Sequence, residues 1–304
     1  MQVEKQHTFQ ADLLLLLVAL IWGFGFVAQR AGMEHIGPYT FNSIRFLLGS
    51  IFLLPLVLRL PATPLAERSR QIPLLWAGLL AGLALFLAAT LQQVGLQYTT
   101  AGKAGFITGL YVVLVPIIGM AFRQQTNTGT WIGAAVAAVG LYLISVNEEL
   151  RIEPGDLLEL IGALFWALHV LLLSWLSPRV APVRLALIQV LVCGFLSLAI
   201  GLVLEPFSLE AVRAAAVPIL YGGVFSVAAG YTLQVVVQRR AHPAHAAILL
   251  SLESPFAALG GWLLLGELLA GRALVGCGLM LVGMLLSQLW PTLTRADTTP
   301  ARSP

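Results

Sequence analysis

Eight long stretches of this chain contain no Asp, Glu, Lys or Arg, and they restrict its fold more than any other feature. The stretches are 13–29, 71–102, 104–122, 124–147, 160–178, 185–204, 214–238 and 273–294. Two further apolar windows, 38–58 and 246–265, contain one interior charge each, Arg45 and Glu253. A helix that crosses a bilayer needs about 20 predominantly apolar residues, and each window is long enough. We therefore predict an all-α polytopic membrane protein with ten transmembrane helices.

The composition supports membrane insertion and argues against several other classes of protein. Of the 304 residues, 59% are hydrophobic and 10% are charged, whereas roughly 25% are charged in a typical soluble domain. The net charge of +3 is spread over the loops, so no nucleic-acid-binding surface is predicted. Cys193 and Cys277 each lie alone inside an apolar window, which argues against a disulfide framework or a metal site. No cofactor is expected, and the predicted partners are the lipid bilayer and a small-molecule substrate.

The first window is predicted to be a retained span, because its apolar stretch is longer than the roughly 7 to 15 residues of a signal peptide. With the N-terminus inside, eleven Lys and Arg residues fall in cytoplasmic segments and five fall outside. This bias follows the positive-inside rule. We therefore predict a multi-pass protein of the cell (inner) membrane with both termini cytoplasmic.

The chain also contains two weakly similar halves. A shift of 144 residues superimposes Trp22 on Trp166, and a shift of 142 residues superimposes Leu110 on Leu252. The predicted segments are a first repeat at 11–146 (helices 1–5), an extracytoplasmic connector at 147–156, a second repeat at 157–290 (helices 6–10) and a cytoplasmic tail at 291–304. Five spans per repeat is an odd number, so the second repeat would cross the membrane in the opposite sense. Inverted repeats are typical of secondary transporters, which bind substrate near the midplane between the halves.

Two tryptophans and one arginine lie unusually deep in the predicted spans. Trp22 and Trp166 lie roughly 13 Å into their spans at 1.5 Å per residue, where they either form aromatic walls of a central cavity or serve helix packing. The repeat pairs Arg45 with Gln189, so this position should face protein or water rather than lipid. Arg45 either binds a substrate carboxylate or is a structural cation.

Glu253 has no side chain one helical turn away that could bond to it. A carboxylate in apolar surroundings is costly unless something satisfies it, so a lipid-facing position is the least expected interpretation. The repeat pairs Glu253 with Tyr111, and Gln92 with Gln234. Glu253 could exchange a proton during transport or could tie two helices together. His169 is a second candidate for proton coupling, although a lone histidine at such depth is more often a satisfied core residue.

Four segments of the chain carry a recognisable pattern of residues. They read ALIWGFGFVAQRAG, PYTFNSIRFLLGS, TTAGKAGFITGLYVVLVP and ILLSLESPFAALGGWLLLGE. This pattern, with Trp22, Arg45 and Glu253 among its most specific matches, resembles the EamA-type permeases of the drug/metabolite transporter superfamily over nearly the whole chain. Ser254 departs from the family's pattern, in which proline often follows the glutamate directly. The resemblance implies ten helices in two inverted bundles of five, a central cavity, and export of small metabolites such as amino acids.

Together these features predict a secondary transporter that exports small neutral or zwitterionic metabolites, such as amino acids or drugs, by alternating access between inverted repeats. The predicted substrate cavity is lined by Trp22, Trp166, Tyr111, Gln92, Glu253 and Arg45. The alternatives are an intramembrane enzyme, for which the sequence lacks HExxH and GxSxG motifs, and a non-transporting receptor or scaffold. Coupling to protons and the choice between monomer and homodimer stay open.

Overall fold

The computed structural model describes residues 2–59, 72–121, 128–145, 152–239 and 243–296, and their regular elements are helices. The first half contains α1 (Gln2–Gly32), α2 (Pro38–Arg59), α3 (Leu74–Gly95), α4 (Ala101–Gly109), α5 (Tyr111–Ala121) and α6 (Thr128–Ser145). The second half contains α7 (Pro154–Leu176), α8 (Pro182–Leu204), α9 (Leu209–Ala214), α10 (Ala216–Leu220), a π-helix (Tyr221–Tyr231), α11 (Thr232–Gln238), α12 (Pro243–Ser251), α13 (Glu253–Leu265) and α14 (Gly271–Ala296). Residues 147–151 of the predicted connector and 297–304 of the predicted tail lie outside the described residues.

Seven helical segments among the described residues are long and apolar enough to cross a membrane. They are Gln10–Gly32, Pro38–Arg59, Leu74–Gly95, Ala101–Ala121, Pro154–Leu176, Pro182–Leu204 and Ala216–Gln238. Three shorter apolar helices, Trp131–Leu143, Leu249–Leu265 and Gly271–Leu286, overlap the remaining predicted windows. The all-helical, multi-pass architecture is therefore confirmed, whereas the count of ten spans stays a prediction.

The molecule carries apolar side chains outside and several polar side chains inside, as expected for a protein surrounded by lipid. Large apolar residues such as Leu58 and Val203 are exposed, a surface that a water-soluble protein rarely presents over many helices. Asn42, Glu159 and Gln189 are fully buried. In a bilayer such polar groups face the bundle interior, because lipid offers them no hydrogen bonds.

Helices of the first half pack mainly against helices of the second half. The principal contacts join α2 to α8, α4 to α13, and α6 to α14, while α3 packs on α7 and α8 and α1 packs on α13 and the π-helix. Small residues allow this close approach. A Cβ atom at Gly23 of α1 would lie 2.8 Å from the carbonyl oxygen of Glu253. The interface between the halves therefore runs through the centre of the bundle.

Two of the apolar helical segments are broken near their middle. The helix from α4 to α5 turns at Leu110, whose N–H donates to the Ile107 carbonyl at 3.1 Å, and the helix from α12 to α13 turns at Leu252, whose N–H donates to the Leu249 carbonyl at 3.3 Å. Such i to i−3 bonds mark a locally tightened turn. Pro255 lies just after the second break and removes the donor that would continue the helix. Both breaks fall at residues that the 142-residue shift superimposes.

The segment Ala216–Gln238 contains a π-helix at its centre, which the sequence analysis did not predict. Its sequence YGGVFSVAAGY places glycine where neighbouring helices come closest. A Cβ atom at Gly223 would lie 3.1 Å from the Arg45 carbonyl oxygen of α2, and one at Gly230 would overlap the Trp22 indole of α1. The wide π-helical turns are frequent at functional sites. This one lies beside Arg45 and Trp22.

Two carboxylates cap helix starts across the interface between the halves. Glu205, directly after α8, accepts from the backbone N–H groups of Tyr39 and Thr40 at 2.9 and 2.7 Å. Glu267, after α13, accepts from those of Ala101 and Gly102 at 2.9 and 3.2 Å. The first N–H groups of a helix have no partner within the helix and carry a partial positive charge, so an anion stabilises them. Each cap ties a second-half segment to a first-half helix.

Candidate functional site

A cavity in the centre of the bundle brings together all six residues that the sequence analysis proposed for a substrate site. Its lining includes Trp22, Arg45, Gln92, Tyr111, Trp166 and Glu253. It also includes Gln29, Thr108, Ser226, Tyr231 and Gln234, which were not in the predicted set. That the cavity binds a substrate stays a prediction.

Glu253 reaches the cavity because the helix breaks directly in front of it. It is the first residue of α13, and Tyr111 is the first residue of α5, so the two breaks place both residues at helix starts. Their side chains are close enough to interact electrostatically. The adjacent Ser254 hydroxyl donates to the Gly105 carbonyl of α4 at 2.7 Å. Interrupted helices are tolerated at membrane depth where they line a cavity, and they are common at transporter binding sites.

Arg45 lies on α2 at the cavity wall and is almost completely buried. Its Nε donates to Asn42 Oδ1 at 2.9 Å, and its Cζ lies 4.8 Å from the Phe46 ring centroid and 5.5 Å from that of Phe41. These contacts hold the guanidinium group by a hydrogen bond and by cation–π attraction. The described residues show no ion pair between Arg45 and Glu253. The cavity is therefore lined by a cation and a carboxyl group that do not neutralise each other.

Aromatic rings form one side of the cavity. Tyr231, at the end of the π-helix, packs against Trp22 with ring centroids 5.0 Å apart and stacks on Trp166 at 6.2 Å. The Trp22 Nε1 donates to the carbonyl oxygen of Ser226 at 3.1 Å, which joins α1 to the π-helix. The sequence analysis paired the two tryptophans but missed Tyr231. The available signal was a tyrosine well inside the window 214–238.

His169 does not line this cavity. It lies behind the aromatic rings, with its Nε2 2.9 Å from Gln189 Oε1 and its ring edge-on to Trp166 at 5.9 Å. Gln189, which the repeat pairs with Arg45, is fully buried in protein. The His169 ring is separated from the cavity by its neighbours. A role for His169 in proton coupling stays a prediction.

A polar column runs from the wall of the cavity along the contact between α4 and α7. We define it as Lys103 and Thr108 on α4 with Glu153, Asp156 and Glu159 at the start of α7. Thr108 Oγ1 donates to Glu159 Oε2 at 3.0 Å, and Lys103 Nζ lies 2.5 Å from Glu153 Oε2 and 2.8 Å from Asp156 Oδ2. The sequence analysis missed this column, because Glu159 borders the charge-free window 160–178. The acidic spacing of three residues at 153, 156 and 159 was the available signal, since it places the carboxyl groups on one helical face.

Among the described residues, no group of three or more His, Cys, Asp or Glu side chains is arranged to hold a metal ion. The acidic members of the polar column are instead bonded to lysine and threonine.

Comparisons with known proteins agree on a transport function. The model of the EamA-like transporter family matches the chain twice, at residues 9–146 and 153–289. An uncharacterized transporter from Archaeoglobus fulgidus is 33% identical over 293 residues, covering 94% of this chain and 88% of the relative. The uncharacterized inner membrane transporter YedA from Escherichia coli is 28% identical over 162 residues, covering 50% of this chain and 49% of YedA. One crystal structure is similar with a TM-score of 0.67 at 18% identity, covering 92% of this chain and 98% of that chain, which supports the fold alone.

Proposed function

Because the chain belongs to the EamA-like transporter family, we propose that it exports small neutral or zwitterionic metabolites, such as amino acids or drugs, across the cell (inner) membrane. Membership of the family makes it a multi-pass membrane transporter rather than an enzyme. The substrate class, the direction of transport and the mechanism are the proposed parts. They rest on the lining of the cavity and on the packing of the helices.

One observation carries the choice of substrate: Arg45 and Glu253 line the same cavity without pairing with each other. A zwitterion would present its carboxylate to the Arg45 guanidinium group and its ammonium group to the Glu253 carboxylate, and charge-assisted hydrogen bonds of this kind are the strong ones. A substrate with a net charge would leave one of the two protein groups desolvated and unpaired, which is costly. The rings of Trp22, Trp166 and Tyr231 would pack on the apolar part of the substrate.

Alternating access of two inverted repeats with ten helices is the proposed mechanism. Two observations support it: α2 packs on α8 and α6 on α14, and in each case the predicted repeat superimposes the two partners. The repeat also superimposes α4 on α12 and α5 on α13, and these four helices pack crosswise, α4 on α13 and α5 on α12. The breaks at Leu110 and Leu252 are a further pair of this kind. Exchange between two such arrangements of the helices would expose the cavity to each side of the membrane in turn.

The direct test is a metabolite panel with the full chain reconstituted in liposomes. We expect exchange of radiolabelled zwitterionic amino acids in preference to their analogues that lack either the amino or the carboxyl group. Glu253→Gln should weaken binding of the zwitterion roughly ten- to hundred-fold, which corresponds to the loss of one charged hydrogen bond. The same variant should weaken binding of the analogue that lacks the amino group much less, because this analogue has no ammonium group to pair with Glu253.

Arg45→Gln is the reciprocal variant. It should weaken binding of the zwitterion and leave binding of the analogue without a carboxyl group nearly unchanged. Glu210→Gln is a matched control, since Glu210 is exposed on α9 and far in sequence from the cavity residues. Preference for a doubly charged anion, or equal losses for all three ligands in both variants, would contradict the proposal. Inside-out and right-side-out vesicles would establish the direction of transport and the cytoplasmic location of both termini.

Proton coupling through Glu253 or His169 remains a separate proposal. If Glu253 is the coupling group, Glu253→Gln should remove the dependence of transport on an imposed pH gradient. If the variant responds to the gradient as the parent does, the carboxyl group of Glu253 is not the coupling site.

A further inference from the structure

Glu159 is a second carboxyl group at membrane depth, and the cavity function described above does not use it. It lies on the segment Pro154–Leu176, is fully buried, and is one of the charged residues without surface exposure. Its Oε2 accepts from the Thr108 hydroxyl group at 3.0 Å, and its Oε1 has no hydrogen-bond partner among the described residues. The backbone of α3 covers this oxygen, since a Cβ atom at Gly95 would lie 2.9 Å from it. The carboxyl group therefore has one hydrogen-bond donor among the described residues and is covered by the backbone of α3.

The charges around Glu159 leave it without a cation of its own. Helices α3, α4, α5, α11 and α12 pack against α7, and α3 and α11 carry no charged or titratable side chain. The charged or titratable residues on the other packing elements, on α7 itself and directly before it are Lys103, Tyr111, Glu153, Asp156, His169, and His245, whose side chain lies outside the described atoms. Lys103 already lies between the carboxylates of Glu153 and Asp156. An ionised Glu159 would add an uncompensated buried negative charge, which is strongly unfavourable.

Thr108 connects this buried carboxyl group to the substrate cavity. Its side chain lines the cavity and bonds to Glu159 at the same time. It also lies two residues before the break at Leu110. A change of angle between α4 and α5 would therefore act directly beside the Thr108–Glu159 contact.

We propose that Glu159 is a proton-binding site that exchanges its proton with the cavity through Thr108. To release the proton, the Thr108 hydroxyl first turns its hydrogen from Glu159 toward the cavity. The Glu159 hydroxyl then donates its proton to Thr108 Oγ1 while the proton of Thr108 passes to water or to a basic group in the cavity. Glu159 loses one proton and becomes a carboxylate, the Thr108 oxygen gains one proton and loses one, and the water or basic group gains one. Reversal of the two transfers restores the neutral carboxyl group.

The outer part of the polar column gives the site a second exit. Asp156 lies one helical turn before Glu159, interacts with it electrostatically and accepts from the Thr99 hydroxyl group at 2.6 Å. Beyond it, the Glu153 side chain is 45% exposed. The proposed outer route runs from the partly exposed Glu153 past Asp156 to Glu159, at the membrane face where α3 ends and α4 and α7 begin, and the inner route runs through Thr108 to the cavity. In the transport cycle proposed above, on which this step rests, Glu159 would couple proton movement to exchange at Arg45 and Glu253.

The protonation state of Glu159 can be measured without a substrate. Infrared spectroscopy of the reconstituted protein at neutral pH should show a carbonyl stretching band of a protonated carboxyl group that shifts in D2O. The band should be lost in Glu159→Gln and retained in Glu210→Gln. An unchanged band in Glu159→Gln, or no such band in the parent, would overturn the proposal regardless of whether a substrate has been found.

The coupling step can be measured with a substrate from the metabolite panel. If one proton is exchanged per substrate, a pH gradient of one unit supports roughly ten-fold accumulation. The ratio of accumulation with and without the gradient should fall to one in Glu159→Gln. It should also fall in Thr108→Val, which lacks the hydroxyl group, and recover in Thr108→Ser, which retains it.

The outcomes separate this inference from the proposed substrate class. Parental ratios in Glu159→Gln and Thr108→Val would sink the proton site while leaving the substrate assignment intact. If accumulation is driven by a Na⁺ gradient and is lost in Glu159→Gln, Glu159 binds a metal cation and not a proton, and the proton site is wrong. Failure of every zwitterion in the panel would contradict the proposed function, whereas the infrared result would still decide the state of Glu159.

Discussion

Replacement of Lys103 by methionine should destabilise the protein more than any replacement of its two acidic partners. The Asp156 side chain is fully buried, whereas Lys103 is 13% exposed and Glu153 is 45% exposed. Lys103→Met would leave the Asp156 carboxylate with the Thr99 hydroxyl group as its remaining bond. Removing one partner of a buried ion pair costs about 3–5 kcal/mol, since the other charge stays buried without compensation.

The reciprocal variant Asp156→Asn should cost less, roughly 1–3 kcal/mol. Its side-chain oxygen can still accept from Thr99, and the Lys103 ammonium group keeps Glu153 at 2.5 Å. The double variant should therefore be less destabilised than the sum of the two single variants. We expect a coupling energy of roughly 1–3 kcal/mol.

The free energies of unfolding can be measured by titrating the purified protein with SDS in mixed micelles. Glu210→Gln is a suitable control for removal of a charge at an exposed site. Single-variant effects that add within about 0.5 kcal/mol would refute the reasoning, because independent sites behave in that way. So would a cost for Lys103→Met no larger than that of Asp156→Asn.

Three further predictions concern the contact between α1, α4 and α13. Gly23→Ala should lower the free energy of unfolding by about 1–3 kcal/mol, because its Cβ would overlap α13. Gly278→Ala is the control in the same SDS titration and should be tolerated, because no heavy atom lies within 4 Å of its Cβ. Glu267→Gln should lower the free energy of unfolding by about 1 kcal/mol, because the single oxygen of an amide would replace the two carboxylate oxygens that accept from the N–H groups at the start of α4. An unchanged free energy of unfolding would show that the cap is dispensable. Spin-label distances between α5 and α12 should change on substrate addition more than those between α4 and α13, and the opposite ranking would exclude hinges at Leu110 and Leu252.

Residue chemistry alone was sufficient to propose the cavity lining. Trp22, Arg45 and Glu253 are polar or bulky residues inside apolar windows, and burying them is justified only if they face one another or a common space. Pairing positions across the two halves then added Tyr111 and Trp166. The structure brings these residues together around one cavity, although the sequence held no distance information.

The breaks at Leu110 and Leu252 could not be predicted in this way, because leucine favours an intact helix. The first break depends on contacts between segments that are far apart in sequence. Ser254 bonds to the Gly105 carbonyl, and this carbonyl lies at the middle of α4, one turn before its end. The π-helix has a similar origin, since its glycines meet Trp22 and the backbone of α2. Tertiary packing therefore overrides local preference at these places.

Glu159 shows a different limit of sequence reasoning. A charged residue at the edge of an apolar window looks like the end of a membrane span, where it would meet water. In the structure α7 begins at Pro154, so Glu159 lies more than one turn inside the helix. Whether such a residue is solvated or buried depends on the neighbouring helix. Here Gly95 has no side chain, so the backbone of α3 lies directly against Glu159 and buries it.

The positions of the bonds between α4 and α13 determine which parts of the bundle can move in an alternating-access cycle. Glu267, just after α13, binds the first N–H groups of α4, and Ser254 of α13 binds the Gly105 carbonyl at the middle of α4, so α4 and α13 are joined at two points and resist separation. The breaks follow α4 and precede α13, and beyond them α5 and α12 pack against each other. Bending at the breaks would therefore move α5 and α12 while leaving the joined pair in place. Glu253 and Tyr111 lie at these bends, so the same movement would change the shape of the central cavity and the surroundings of the Thr108–Glu159 contact.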